Sequence, residues 1–320
     1  MRPLRDHTHL ILDGEVRVYR RERSKHYDSP RSTDFRKDGV WAANLGFYLL
    51  WMEYLAISPS YELARRFRAD DLSEEELHTL PADFEDVLAV YDDLGDVQRV
   101  RFLDWWSERA LSVFGYKGSK PRVRKIDTLR SDRHRKAASR LQEFIENDWT
   151  EQGQPNAMVI SVPLGLSKAQ ITRQLGKLID SSLKERRVLP EPAAKYPLLG
   201  TRQLKDTLFR YLFVVWVRSA MPRQALWRVG AWAKVSDTYS RELDPKVRIP
   251  RGELTYDRSV LSALTSRAWS RGVALAENAA RGRFPSYDKV EHGLEPNLND
   301  SWTLISSHRR WKKKLGRSER

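Results

Sequence analysis

Asp92, Asp93 and Asp96 stand within five residues of one another beside Gly95. Clustered carboxylate oxygens are what a hard divalent cation requires, although the same residues equally suit a solvated turn at a helix end. His7 and His9 fall on one side of an extended segment, a spacing that allows chelation, but no third ligand lies nearby. The chain has no cysteine. Thiolate nucleophiles, disulfides, iron–sulfur clusters and cysteine-based zinc sites are therefore excluded. A phosphate-cradling loop closed by Lys-Ser or Lys-Thr is absent, as is the Gly-x-Ser-x-Gly elbow of a serine hydrolase. A recombinase-like grouping of arginine, histidine and tyrosine would have to be gathered by the fold, and local spacing gives it no support. On these grounds no catalytic residue, metal or cofactor is assigned. A metal-dependent nucleic-acid enzyme built on Asp92 and Asp93 stands as an alternative.

Cationic side chains carry the stronger signal. The 320 residues hold 57 Lys and Arg against 43 Asp and Glu, a formal charge of +14. The excess is clustered. Residues 39–116 carry 6 basic and 15 acidic groups, residues 117–140 carry 10 and 2, and residues 201–320 carry 24 and 12. An acidic block is thus followed by a basic connector and a basic last third, a division that suits one part for a polyanion and another for a different partner. The competing reading is a solvated surface whose blocks pack on each other. In the connector the cluster is Arg122, Arg124 and Lys125, continued by Arg130, Arg133, Arg135 and Lys136. In the tail it is Arg309, Arg310, Trp311, Lys312, Lys313 and Lys314, where cations would hold phosphates and the indole would stack on a base or wedge against sugar. A solubilising end, an import-type signal and a patch for anionic lipid are the tail's alternatives.

A helix beginning near Asp257 and stopping at Gly282 has an apolar stripe of Leu261, Leu264, Ala268 and Leu275. Its other faces hold Arg258, Ser262, Thr265, Arg267 and Arg271. Short hydroxyls permit close approach to DNA, while arginines neutralise phosphates or grip guanine edges. With a preceding helix over Pro222–Lys234, this stretch resembles a helix-turn-helix DNA-binding unit over roughly Thr201–Pro285. It departs from that pattern in the connection, where about 22 residues stand in place of three or four. The gap has room for an arm or wing. An ordinary amphipathic helix with a solvated polar face is the alternative.

These residues need elements to hold them. Asp13-Gly14 between apolar runs predicts a β-hairpin over residues 9–19. From Val40 the apolar residues Trp41, Leu45, Tyr48, Leu49, Met52 and Leu55 recur at helical steps and predict one broad stripe. Ser58-Pro59 reads as a helix cap and first turn, Ser73 with Glu76 and Ser167 with Gln170 as capping boxes, and Pro81 and Pro222 as helix openings. Trp41, Trp51, Tyr48, Phe102, Trp105, Trp106 and Phe114 have core spacing. Any part left exposed would favour a protein partner, since an acidic block repels phosphate. Ala157–Val162 is apolar and β-branched and predicts a strand.

The resulting expectation is a mainly α (α+β), multi-helical chain with a small N-terminal β-hairpin and one short central strand. Its divisions are a hairpin and charged loop (1–38), an acidic aromatic-rich helical module (39–116) and a basic connector (117–140). A strand–helix segment (141–200), a basic helical module (201–285) and an irregular basic tail (286–320) follow. The expected function is non-enzymatic nucleic-acid binding, with DNA favoured over RNA and a possible protein partner at residues 39–116. A scaffold docking an acidic partner is the alternative. No apolar run reaches the ~18–20 residues of a membrane span, since Leu208–Val217 is short and contains Arg210. A cytoplasmic, non-membrane protein is expected.

Overall fold

The computed structural model describes residues 35–37, 40–42, 45–117, 123–130, 134–151, 154, 156–184, 194–199, 205–247, 250 and 252–318. The expected hairpin, with His7 and His9, lies outside them. The described chain is mainly helical and falls into two compact units. One is built from Ala42–Gly115 and Ala194–Arg320, the other from Arg36–Trp41 and Tyr116–Ala193.

In the larger unit, α1 (Leu45–Leu55) is followed by α2 (Pro59–Arg68), α3 (Glu74–His78) and α4 (Phe84–Leu94). Next, α5 (Phe102–Trp105), a π-helical turn (Trp106–Ala110) and α6 (Leu111–Phe114) run on as one rod. After the second unit come α9 (Lys205–Ala220), α10 (Leu226–Trp232), α11 (Tyr239–Glu242), α12 (Thr255–Ala279) and α13 (Leu298–Ser318). The expected helix from Val40 is corrected. Residues 40–42 are a strand, and the helix starts at Leu45. Nor is α1 a stripe, because it is buried from Gly46 to Leu55 on every side, as befits a helix at the centre of a core.

Local chemistry sets several ends. Ser58 caps α2 by accepting from the Tyr61 amide, with Pro59 in the first turn. Ser73 and Glu76 form the reciprocal box of α3. Pro81 and Pro222 open turns rather than helices, so α4 and α10 begin a few residues later. Asp257 lies inside the first turn of α12, and Leu254 holds its cap position. The core itself is aromatic. Tyr48, Trp51, Trp105, Trp106 and Phe114 are all at most 1% exposed, and Trp51 donates through Nε1 to the Ala279 carbonyl at 3.1 Å. Tyr54 donates to the Leu208 carbonyl at 2.6 Å. The expectation of an aromatic core is met for these five; Phe102 is half-buried, and the side chain of Trp41 lies outside the described residues. Among residues 45–115, only Leu77 and Leu103 are large exposed apolar side chains.

Two further corrections concern the later chain. The basic tail is irregular only over residues 286–297. Leu298–Ser318 is the helix α13, docked by a 2.5 Å pair between Arg309 and Glu53 and by His308 Nδ1 against the Gln98 carbonyl at 2.6 Å. Ala157–Val162 is not a strand either. It has no regular secondary structure and no ladder partner among the described residues, and Val159 is 67% exposed. The sheet present is instead β1 (Phe35–Lys37), β2 (Val40–Ala42) and β3 (Tyr116–Lys117), with Val40 opposite Lys117 and Trp41 opposite Tyr116 in antiparallel register. The second unit also holds α7 (Ala137–Glu143), continued by a π-helical turn (Phe144–Trp149), and α8 (Lys168–Lys184). The Ser167–Gln170 box caps α8 as expected.

Candidate nucleic-acid interface

α12 positions everything else in the basic module. It packs against α9, α10, α11, α1 and α2, and its last turns, Leu275–Ala279, are buried all round. Close approach on two sides depends on glycine. A Cβ at Gly230 of α10 would lie 2.0 Å from Thr265 Oγ1, and one at Gly272 would lie 2.7 Å from Val215 Cγ2 of α9. One face of α12 remains open. Ser259, Ala263, Ser266, Arg267, Ser270 and Arg271 are exposed, at steps of three and four.

The long gap between α10 and α12 contains α11. Trp227, Ala231, Leu243 and Leu261 form a core here, with Val235 and Tyr239 packed against it. The chain leaves α10 through Lys234 at φ 50°, in the left-handed region. Ser236 then opens α11, its hydroxyl accepting from the Tyr239 amide at 3.4 Å and its carbonyl from the Ser240 amide at 2.9 Å. Arg228 and Arg258 brace the next loop. Arg228 donates to the Pro245 and Val247 carbonyls, Arg258 to those of Pro250 and Glu253, and both guanidinium groups lie over the Trp227 ring.

Arg271 is framed differently. Its Nη1 donates to the Tyr211 hydroxyl at 2.7 Å, and the guanidinium lies 5.7 Å from the Tyr211 ring and 5.3 Å from that of Tyr287. Burial pushes the Tyr287 hydroxyl up to about 12 despite the nearby cation, so it stays a neutral donor at ordinary pH. An aromatic frame fixes an arginine without cancelling its charge.

Other residues singled out from the sequence have different surroundings. Thr265 is fully buried and donates to the Leu261 carbonyl at 2.6 Å, so its hydroxyl serves helix packing. Arg309 is 7% exposed, paired with Glu53 and stacked 3.9 Å from the Trp216 ring centroid; it is core, not a phosphate clamp. Trp311 is half-buried and stacks on His308. Arg310 is exposed and bonds the Ser306 carbonyl; Lys314 is exposed on the same helix. Lys312 and Lys313 belong to α13, but their side chains lie outside the described residues, as does Arg122. Arg124 pairs with Asp148 and lies over Phe144, while Lys125 is exposed. Ser262 is half-buried.

The aspartates considered for a cation each have a separate protein partner. Asp92 accepts both arms of Arg68, Asp93 binds the Tyr196 hydroxyl and Lys195, and Asp96 accepts from the Gln98 amide. Among the described residues no group of three or more acidic or histidine side chains is placed to hold a metal. No helix is long and apolar enough to cross a membrane.

The chain matches no protein-family model, no curated protein and no solved structure. Local geometry alone therefore bears on function. Sequence reading missed Arg228, Tyr211 and Tyr287. Their roles depend on crossings between helices distant in sequence. Gly230 and Gly272, lone glycines inside helical patterns, were the available signals of close approach.

Proposed function

We propose that the protein binds nucleic acid, with duplex DNA as the favoured substrate, through the basic surface of α10, α11 and α12. One observation carries this reading: six cations of this module, Arg210, Arg218, Arg228, Lys246, Arg258 and Arg271, are held by neutral groups. Residues 205–275 contain 13 Lys and Arg against 6 Asp and Glu. Arg210, Arg218, Arg228 and Arg258 bond main-chain carbonyls, and Lys246, Arg228, Arg258 and Arg271 lie against aromatic rings. The acidic module behaves in the opposite way. There Arg65, Arg66, Arg68 and Arg101 pair with Glu62, Glu76, Asp92 and Asp104. Carbonyls and rings orient a guanidinium yet leave its full charge for phosphate.

In this reading Arg267 and Arg271 contact phosphate or base edges, and Ser266 and Ser270 let the backbone of α12 approach closely. Helix α11 with the Lys234 turn supplies the partner element of a helix-turn-helix-like unit, six residues after α10 rather than the 22 that separate α10 from α12. Arg309 and Thr265 are left out of the contact set because both are buried. Binding of a labelled duplex, followed by fluorescence anisotropy, should weaken by about a thousandfold or more between roughly 50 and 200 mM salt for six phosphate contacts. Arg267→Ala and Arg271→Ala should each reduce the salt slope by about one. A response flat in salt overturns the proposal. Stronger binding to single-stranded RNA would replace DNA as the substrate.

A further inference from the structure

Residues 152–167 hold no charged side chain in a chain that is 31% charged, and within them residues 156–162 lie between Pro155 and Pro163. Val159 is the midpoint of that run. Met158, Val159, Ile160 and Val162 give it the composition of a strand. Yet no main-chain amide or carbonyl of residues 156–162 makes a hydrogen bond among the described residues.

All seven residues are exposed. The degree alternates, because Met158, Ile160 and Val162 are 44%, 40% and 39% exposed while Val159 is 67% exposed. A period of two is what a pairing backbone requires, with the less exposed set turned partly toward its own unit. Unpaired amides and carbonyls on an apolar run are a template for another strand, and no charge or internal proline blunts this one.

We infer that the occupant is the same run of a second copy of this chain, paired antiparallel about Val159. Reversal matches the run to itself. Val159 then faces Val159, Met158 faces Ile160 and Ala157 faces Ser161. Pro155 falls opposite Pro163, so residues without an N–H bound the ladder at both ends. The flanking charges select the same direction. From residue 141 to residue 167 there are four acidic groups, Glu143, Glu146, Asp148 and Glu151, and no cation. The first charges beyond are Lys168, Arg173 and Lys177. Glu151 and Lys168, both exposed, stand eight and nine residues from Val159. Antiparallel pairing brings the acidic approach of each copy to the basic exit of the other, whereas parallel pairing sets like charges side by side. So short a ladder buries little surface, and the dimer is a weak one.

The test is the molar mass of the full chain by sedimentation across the micromolar range, after nuclease treatment, so that nucleic-acid bridging plays no part. A dimer in exchange with monomer is expected. Val159→Lys sets two ammonium groups face to face across the two-fold axis and should raise the dimer Kd by about tenfold or more. Mixing it with an equal amount of Val159→Asp should restore association as a heterodimer. Circular dichroism on each variant separates this effect from loss of fold. Because the chain has no cysteine, single substitutions report the register. Under mild oxidation Val159→Cys should link to itself, while Met158→Cys and Ile160→Cys should link slowly alone and quickly when mixed. Parallel pairing would instead let Met158→Cys link to itself as fast as Val159→Cys. That result, a monomeric wild type, an unchanged Kd in Val159→Lys, or a folded mixture that fails to associate would each overturn the inference. None of these outcomes depends on whether DNA is bound.

Discussion

Glu277 in the last turn of α12 and Arg281 just past its end have side chains only 2% exposed. Glu277 accepts from the Ser58 and Ser60 hydroxyls, the Ser60 and Leu294 amides and Arg281. Arg281 in turn grips Asp83 through Nε and Nη2 and donates to the Glu277 and His292 carbonyls. Removing one partner strands the other charge, so Arg281→Ala should cost about 3–5 kcal/mol in denaturant unfolding. The Arg281 hydrogen bonds hold the Asp83 carboxyl below its ordinary range. That contribution is complete above the unfolded carboxylate pKa of about 4 and disappears as pH falls through the lower folded value. Stability measured from neutral pH down to pH ~3 should therefore fall less steeply in Asp83→Asn than in the parent chain. None of this was legible beforehand. Arginine at 281 reads as a cation near a helix end, because the residue that uses it, Asp83, is 198 positions away.

Between elements, the tightest constraint is the crossing of α10 and α12. Gly230→Ala should destabilise by about 1–3 kcal/mol, since the added methyl meets Thr265 Oγ1 and Leu261. Thr265→Ala removes the nearer obstacle, and the double variant should cost less than the sum of the single changes, a non-additivity that thermal unfolding would measure. Ser73→Ala should cost about 1 kcal/mol through loss of its box with Glu76. Caps of this kind were readable in the sequence because donor and acceptor lie within four residues. Strand identity was not. Val40-Trp41-Ala42 continues a helical apolar period, and pairing with β1 on one side and with Tyr116 and Lys117 on the other makes it a strand. Ala157–Val162 has strand composition but no partner among the described residues to make it one. For the candidate interface, the sequence revealed the exposed arginines of α12, but not which hydroxyls its packing would consume.

At the scale of the molecule, the larger unit is assembled from two stretches of chain that are interrupted by the second unit. The basic C-terminal helix belongs to it as structure. Cutting the chain before Leu298 removes the Arg309 stack on Trp216 and uncovers Glu53. Such a truncation should lower the unfolding midpoint by many degrees, where trimming a disordered tail would leave it unchanged. Calorimetry of the two chains decides between these outcomes. The interruption also has a temporal side. The hydrogen bond from Trp51 to Ala279 spans 228 positions, and that from Ser58 to Glu277 spans 219. At about 5–20 residues per second, a ribosome needs roughly 11–46 seconds to deliver the far partner. For that interval α1, with Phe47, Tyr48, Trp51 and Tyr54, waits for the α9 and α12 that cover it, which makes the nascent chain a client for holdase chaperones.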